Sequence, residues 1–473
     1  MKKILALALM AATLTVGAKV TPSVMLTDNM VLKQNSNARI GGKAAPGENI
    51  TAIPSWNNQK YTTTASKDGR WSIALPTPAG GYEAYTIKVA DSTPDTLTVS
   101  NVLIGEVWLA SGQSNMEMNL TQHGGTATRG GKEEIVNSRN EANNIRLFNV
   151  PRVQSLVPED TVACSWVVPN PLAASDFSAV AWFFAKTLSH ALDVPVGIVS
   201  AAYGGTKIEG WLPREVVKDY PDFNLNPDSI WALNHMARPT TLYNAMFHPV
   251  KDYSYSGVIW YQGCSNSWDI EHYGDRQKTL IKQWRKDIGE GDIPFFITEL
   301  APYVDFNGNG AAFRAVQWKA AEETPNAAII CTNDLVMPQE RFNIHPENKY
   351  DVGSRHAYMA LNKVYGQDIY PVLNPTVESW TVEGPVVTLK FKTDWKNLSH
   401  NLDVKGFEIA GQDGIFYPAV YEPIQYNPMG KVYSDRVNHP RYLRYAWGDY
   451  APGQLRGGNG LPARPFNITL EEK

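Results

Sequence analysis

Cysteine is nearly absent: three among 473 residues cannot staple a fold, and their odd number leaves at least one thiol unpaired. An excess of one charge is missing as well. Lys and Arg number 43 and Asp and Glu 47, a net of −4 without basic blocks, which argues against nucleic acid or an anionic membrane as main partner. No apolar run approaches the roughly 20 residues that cross a bilayer. Nor does the chain carry an H-E-x-x-H, a paired C-x-x-C or a calcium-type carboxylate loop, so no metal site is indicated. With 43% hydrophobic and 19% charged residues, the chain is of ordinary globular composition, long enough for roughly three domains of about 150 residues.

What the chain has begins with a targeting segment. Lys2 and Lys3 precede an apolar run over residues 4–16, and Val16-Gly17-Ala18 supplies the small residues of a cleavage site. Residues 1–18 are therefore expected to be a signal peptide, leaving an exported protein, periplasmic or extracellular, with no membrane span after its removal. From 19 to 101, short β-type runs alternate with turns such as Ala45-Pro46-Gly47-Glu48 and Lys67-Asp68-Gly69-Arg70, and no helical period appears. This reads as a β-sandwich.

Between 102 and 370 the period alternates. Runs at 102–110, 196–200, 257–261, 294–300 and 327–332 read as buried strands. Helical spacing falls at 175–192, after Tyr273, near 313–321 and at 351–365. Ser175 and Asp176 are the expected caps of the first helix. Alternating strands and helices imply βαβ units, and so an α/β three-layer sandwich about a central parallel sheet. From 371 to 473 the pattern is β-rich again, either a third small domain or strands packed on the first.

In an open parallel sheet, ligands bind beyond the carboxyl ends of the strands. Four unusual segments sit at such ends: the loop with Ser114, the pair Gly204-Gly205, the loop with Gly263 and Asn266, and the stretch from Asp334 to His345. A serine, a glycine backbone, an asparagine and a histidine are the parts needed for acyl transfer: a hydroxyl attacks, an imidazole takes its proton, and donors hold the oxyanion.

These blocks also carry a resemblance. Gly105-Glu106-Val107-Trp108 leading into Ser111-Gly112-Gln113-Ser114-Asn115-Met116 resembles the nucleophile block of the sialate O-acetylesterase family of SGNH hydrolases. Residues 203–211, 257–266 and 344–355 resemble its second, third and histidine blocks, and flanking motifs extend the likeness over nearly the whole mature chain. The resemblance implies an SGNH-hydrolase-like fold with N- and C-terminal β-rich flanks, an acetylated sugar as small-molecule or oligosaccharide substrate, and no cofactor or metal. It implies Ser114 as nucleophile and His345 as general base, with Gly205, Asn266 and the Ser114 N–H as oxyanion donors. Gln113, Gln262, Trp211 and Gln317 are candidates for positioning the sugar.

Two positions depart from the family pattern. Phe342 stands where an Asp commonly precedes the histidine by three residues, and Cys264 stands where Glu is usual. Without that Asp, His345 is oriented either by a backbone carbonyl near Asn343, making a Ser-His dyad, or by Asp334. Taken singly, each block has a plainer reading: Ser114 in a turn, Gly204-Gly205 as a tight loop, Asn266 as a loop cap, Cys264 as a thiol nucleophile or a small buried residue. The catalytic parts are blind to the sugar, so deacetylation of a plant polysaccharide such as xylan, or glycan binding without catalysis, stay open beside the sialate activity.

Overall fold

The computed structural model describes residues 20–394, 398 and 403–470. The expected signal peptide lies outside the described residues. The central element is an unusually long strand, β1 (Thr96–Gly112), whose first half pairs with strands of the amino-terminal β region and whose second half runs through the middle of the parallel sheet. The boundary expected at 101/102 thus falls inside one continuous strand. The other parallel strands are β2 (Ile145–Asn149), β3 (Val196–Ala202), β4 (Gly257–Tyr261), β5 (Phe295–Thr298) and β6 (Ala327–Ile330). Their spatial order is β2-β3-β1-β4-β5-β6, with the short antiparallel pair Trp166–Val167 on the β2 edge.

Within the parallel sheet these strands are largely apolar and buried because both faces are covered, and their side chains divide with period two. Val107, Leu109, Val258, Trp260, Phe295 and Ile297 join one core with Leu280, Ile281 and Trp284 of helix α3 (Ile270–Ile288) and Phe313 of α4 (Gly310–Glu322). The intervening Trp108, Ala110, Ile259, Tyr261 and Phe296 join a second core with Val180, Phe184 and Leu188 of α2 (Ala179–Leu192) and Val352, Ala357 and Ala360 of α5 (Lys349–Lys363). A one-residue slip in any central strand would exchange the two sets.

Helix α2 starts later than its spacing alone suggests. A separate short helix covers Pro171–Ser175, Phe177 is buried, and Ser178 is the cap, accepting from the Ala181 N–H at 3.2 Å. The same hydroxyl donates to the Met116 carbonyl at 2.6 Å, so the cap also anchors the loop after β1.

The carboxyl-terminal region forms two four-stranded antiparallel sheets, from Thr376–Glu383 to Phe466–Thr469, around a core that includes Leu389, Phe391, Phe407, Leu443 and Tyr445. It is fastened to the α/β region through Asp449. That carboxylate accepts the N–H groups of Phe306, Gly308 and Gly310, at 3.1, 2.8 and 2.7 Å, at the start of α4.

The order of strand addition switches sides at β1, between β3 and β4, which places the site. Gly112 ends β1 opposite Ala202 on one side and Tyr261 on the other. Its φ of 141° suits only glycine, and a Cβ there would lie 2.1 Å from the Tyr261 carbonyl oxygen. Gly112→Ala is expected to destabilise the protein by about 3 kcal/mol or more, measured by urea unfolding. A change below about 1 kcal/mol would contradict the packing described here.

Candidate active site

Ser114 opens the short helix α1 (Ser114–Glu117) immediately beyond β1 and keeps only 6% of its surface exposed. The turn before it is pinned from both sides: the Gln113 N–H donates to the Tyr261 carbonyl at 3.0 Å and the Tyr203 N–H to the Gly112 carbonyl at 3.1 Å. At a helix start, backbone N–H groups lack partners within the helix and suit a developing negative charge. The Gly204-Gly205 loop after β3 packs against this turn. A Cβ on Gly204 would stand 3.3 Å from Ser114 Cβ. The Gly204 N–H donates to the Glu117 carboxylate, which also accepts from Arg152 at 2.7 Å. Gly205 has a φ of 72°, and the Met236 thioether occupies the space a side chain would need.

The histidine block reaches the nucleophile block through Asn115. Its Nδ2 donates to the Ile344 carbonyl at 2.9 Å, and its Oδ1 accepts from the buried Lys349 Nζ at 2.7 Å. The residues next to Ser114 and next to His345 are thus joined directly across 229 positions of sequence. The His345 main chain is clamped by Asn343, whose Oδ1 accepts from its N–H at 3.0 Å and whose Nδ2 donates to its carbonyl at 2.8 Å. The Asn343 region therefore holds the histidine's backbone and not its ring.

The ring itself meets His123, edge to face with centroids 4.5 Å apart, on a two-stranded hairpin over residues 122–127. A Cβ on Gly124 of that hairpin would stand 3.8 Å from His345 Nδ1. Burial, the His123 ring and the Lys349 ammonium lower the imidazole's pKa to about 4, so it is neutral over most of the pH range. Lys349 is itself lowered by burial to about 7. Among the described residues no hydrogen bond joins Ser114 Oγ to the imidazole. Such contacts commonly close only when substrate is bound.

Asp334 is engaged elsewhere. Its carboxylate accepts from Arg355 at 2.7 and 2.8 Å and pairs with Arg456 at 2.6 Å, tying α5 to the carboxyl-terminal region. Burial opposes its ionisation, but the two guanidiniums outweigh burial and hold the carboxyl below its usual range. Asp334→Asn is expected to cost about 3 kcal/mol or more of stability, by leaving buried arginine charge unpaired. Where the variant is folded, kcat should stay within a few-fold of wild type; a loss near 10⁴ would mark Asp334 as a triad acid.

Asn266 is wholly buried after β4. Its Oδ1 accepts from Gln262 at 2.7 Å and the Ile208 N–H at 3.0 Å, while Nδ2 lies 3.2 and 3.3 Å from the Glu209 oxygens. Glu209 is paired in turn with Arg276 at 2.6 Å. The four residues named for the sugar lie beneath the loops, not on their surface. Gln113 Oε1 accepts from the Gly263 N–H, Gln262 Nε2 donates to the Thr206 carbonyl, and Gln317 Nε2 donates to the Gln262 carbonyl. Trp211 packs edge-on against Trp260 and Trp284 with its indole N–H on Thr206 Oγ1. Buried and hydrogen-bonded, they set loop geometry and present no open surface to a ligand. Cys264, beside Asn115, is a free thiol that burial pushes up to about 12, so it stays protonated and is a poor nucleophile.

Asn115 and Lys349 stand in the blocks that carry the resemblance but had no role assigned, and Glu117 and His123 were not singled out; all four have partners distant in sequence. Only Glu117 carried a local signal, standing one turn after the serine.

A serine at a helix start, a glycine loop packed against it and a neutral histidine on a loop tied to that serine's neighbour form an arrangement suited to acyl transfer on an α/β sheet, and the protein is an esterase. More particularly, the chain belongs to the family "Carbohydrate esterase, sialic acid-specific acetylesterase", which matches residues 104–362. It is 27% identical to a sialate O-acetylesterase of Rattus norvegicus over 94% of this chain and 93% of that one, and 28% identical to that of Pongo abelii over 95% and 92%. Among solved structures it is similar to a carbohydrate acetylesterase from Xanthomonas citri, with a TM-score of 0.84, 30% identity and coverage of 95% of this chain and 99% of that one.

Proposed function

We propose that this esterase is an exported sialate O-acetylesterase of SGNH type. Ser114 Oγ attacks the acetyl carbonyl while the neutral His345 imidazole takes its proton. The tetrahedral oxyanion rests on the N–H groups of Ser114 and Gly205, and Asn266 Nδ2 joins them only by turning one hydrogen away from Glu209, on which it rests in the free protein. The intermediate collapses to an acetyl-serine as the imidazolium returns the proton to the departing sugar oxygen. Water, deprotonated by the same imidazole, then releases acetate. His345 and Ser114 work as a dyad in which Asn343 and Asn115 fix the histidine's main chain and the His123 ring packs on the imidazole.

The observation that carries this reading is the Asn115 bridge, which ties the serine's neighbour to the histidine's neighbour at the mouth of the sheet. The positive start, apolar run and small-residue site at residues 1–18 support export. Among the described residues, no helix is long and apolar enough to cross a membrane. The names of the mammalian relatives support the sialate substrate. The bacterial neighbour is named only as a carbohydrate acetylesterase, which keeps acetylated xylan as a second substrate to test.

Acetate release by the purified protein from acetylated sialic acid and from acetylated xylan separates the two readings. The sialic acid substrate is expected to give the larger kcat/KM, by about tenfold or more. A preference for xylan would replace the sialate reading with the polysaccharide one, and no release from either would favour glycan binding without catalysis.

A further inference from the structure

Trp268 is conspicuous beside the glycine loop. Most large aromatic side chains here are core, yet Trp268 keeps 61% of its surface exposed. It is held in place all the same. Its indole N–H donates to the Ser265 carbonyl at 3.3 Å, and the Ser265 hydroxyl donates to the Gly205 carbonyl at 2.7 Å. Two hydrogen bonds therefore connect an exposed aromatic plate to the glycine expected to hold the oxyanion.

Over the same ring stands the Lys207 ammonium, 4.7 Å from the ring centroid. Lys207 is fixed through its main chain, its N–H donating to the Met236 carbonyl at 3.1 Å. Among the described residues no carboxylate pairs with Lys207. Arg152, by contrast, is neutralised by Glu117, the carboxylate that also accepts from the Gly204 N–H. Lys207 covers part of the ring, and the exposed remainder suits the apolar face of a pyranose, while a cation without a carboxylate partner suits an anion.

We propose that Trp268 and Lys207 form the subsite for a carboxylate-bearing sugar, the sugar ring packing on the part of Trp268 that Lys207 leaves exposed and the sugar carboxylate drawing the Lys207 ammonium to itself, beside the Gly205 loop. This rests on the sialate reading above and gives it a structural source. A neutral polysaccharide has no group for Lys207, so the lysine is the residue that separates the two substrate classes.

The test compares an O-acetylated sialic acid with its 1-carboxamide analogue, which has the same shape without the charge. Wild type is expected to favour the carboxylate by about tenfold or more in kcat/KM. Lys207→Met should erase that preference through KM, with kcat little changed, and Lys207→Arg should restore most of it. Trp268→Ala should raise KM for both sugars alike. A purely structural Lys207 would lower both activities together and leave their ratio as in wild type; that result overturns the subsite. Should Lys207→Met not fold, the Lys207→Arg ratio and the wild-type preference still decide. If wild type hydrolyses both sugars equally, the subsite alone is wrong. If it releases acetate from acetylated xylan and not from acetylated sialic acid, the substrate reading falls and the subsite with it.

Discussion

Replacing Ser114 with alanine is expected to reduce hydrolysis of an activated acetyl ester by on the order of 10⁴-fold or more while leaving the thermal midpoint nearly unchanged. The two halves of this expectation have separate causes. Oγ makes no hydrogen bond to another residue among the described residues, so its loss strands no partner and removes little packing. The turn that aims it is held by backbone bonds to Tyr261 and Tyr203, which alanine retains. What remains in the variant is the set of donors around Gly205, enough for slow hydrolysis by water. A variant with more than a tenth of wild-type activity would show that some other group attacks.

Removal of the His345 imidazole should cost about as much, since base and nucleophile act as a unit. The more diagnostic readout is the pH profile of wild type. General-base catalysis needs the neutral ring, and kcat/KM reports ionisation in the free enzyme. An ordinary histidine would place the acid limb near pH 6.5. Burial, His123 and Lys349 lower this one, so the limb should lie near pH 4. At that pH Lys349, with its own pKa lowered only to about 7, is fully charged and its repulsion acts in full. Lys349→Met should therefore move the limb upward, toward pH 6.5. A wild-type limb at pH 6 or above, or one that moves downward in the variant, would contradict the environment described for the ring.

Much of this architecture was legible in the sequence, because it depends on period and on position at strand ends. Strand β4 occupies the residues its apolar run marks out, three of the loops that stood out in composition follow adjacent parallel strands, and the histidine end of the fourth is bound to Asn115 while Asp334 at its start is engaged elsewhere. Where the reading stopped short, the deciding contact was distant in sequence. The cap of α2 is Ser178, not Ser175 or Asp176, because the Ser178 hydroxyl also reaches Met116 of another segment. The continuity of β1 depends on partners in two different sheet regions that local turn signals do not reveal.

Side-chain chemistry misled in a similar way. Glutamine and tryptophan suit sugar contacts, but the same groups suit a buried polar scaffold, and Gln113, Gln262, Gln317 and Trp211 are buried. Asp334 had a carboxylate and a nearby histidine in its favour. Its two arginine partners, one from α5 and one from the far carboxyl-terminal region, appear only in three dimensions. Lys349 and Asn115 meet across 234 positions, and no local pattern announces such a pair.

The central claim is that Ser114 is the group that becomes acylated. A serine-directed sulfonyl fluoride, followed by peptide mapping, tests it most directly. The label is expected on Ser114 in wild type, with activity lost in proportion to labelling, and labelling should fail when His345 is replaced by alanine. Inactivation with the label on any other residue, or full activity with Ser114 labelled, would contradict the account.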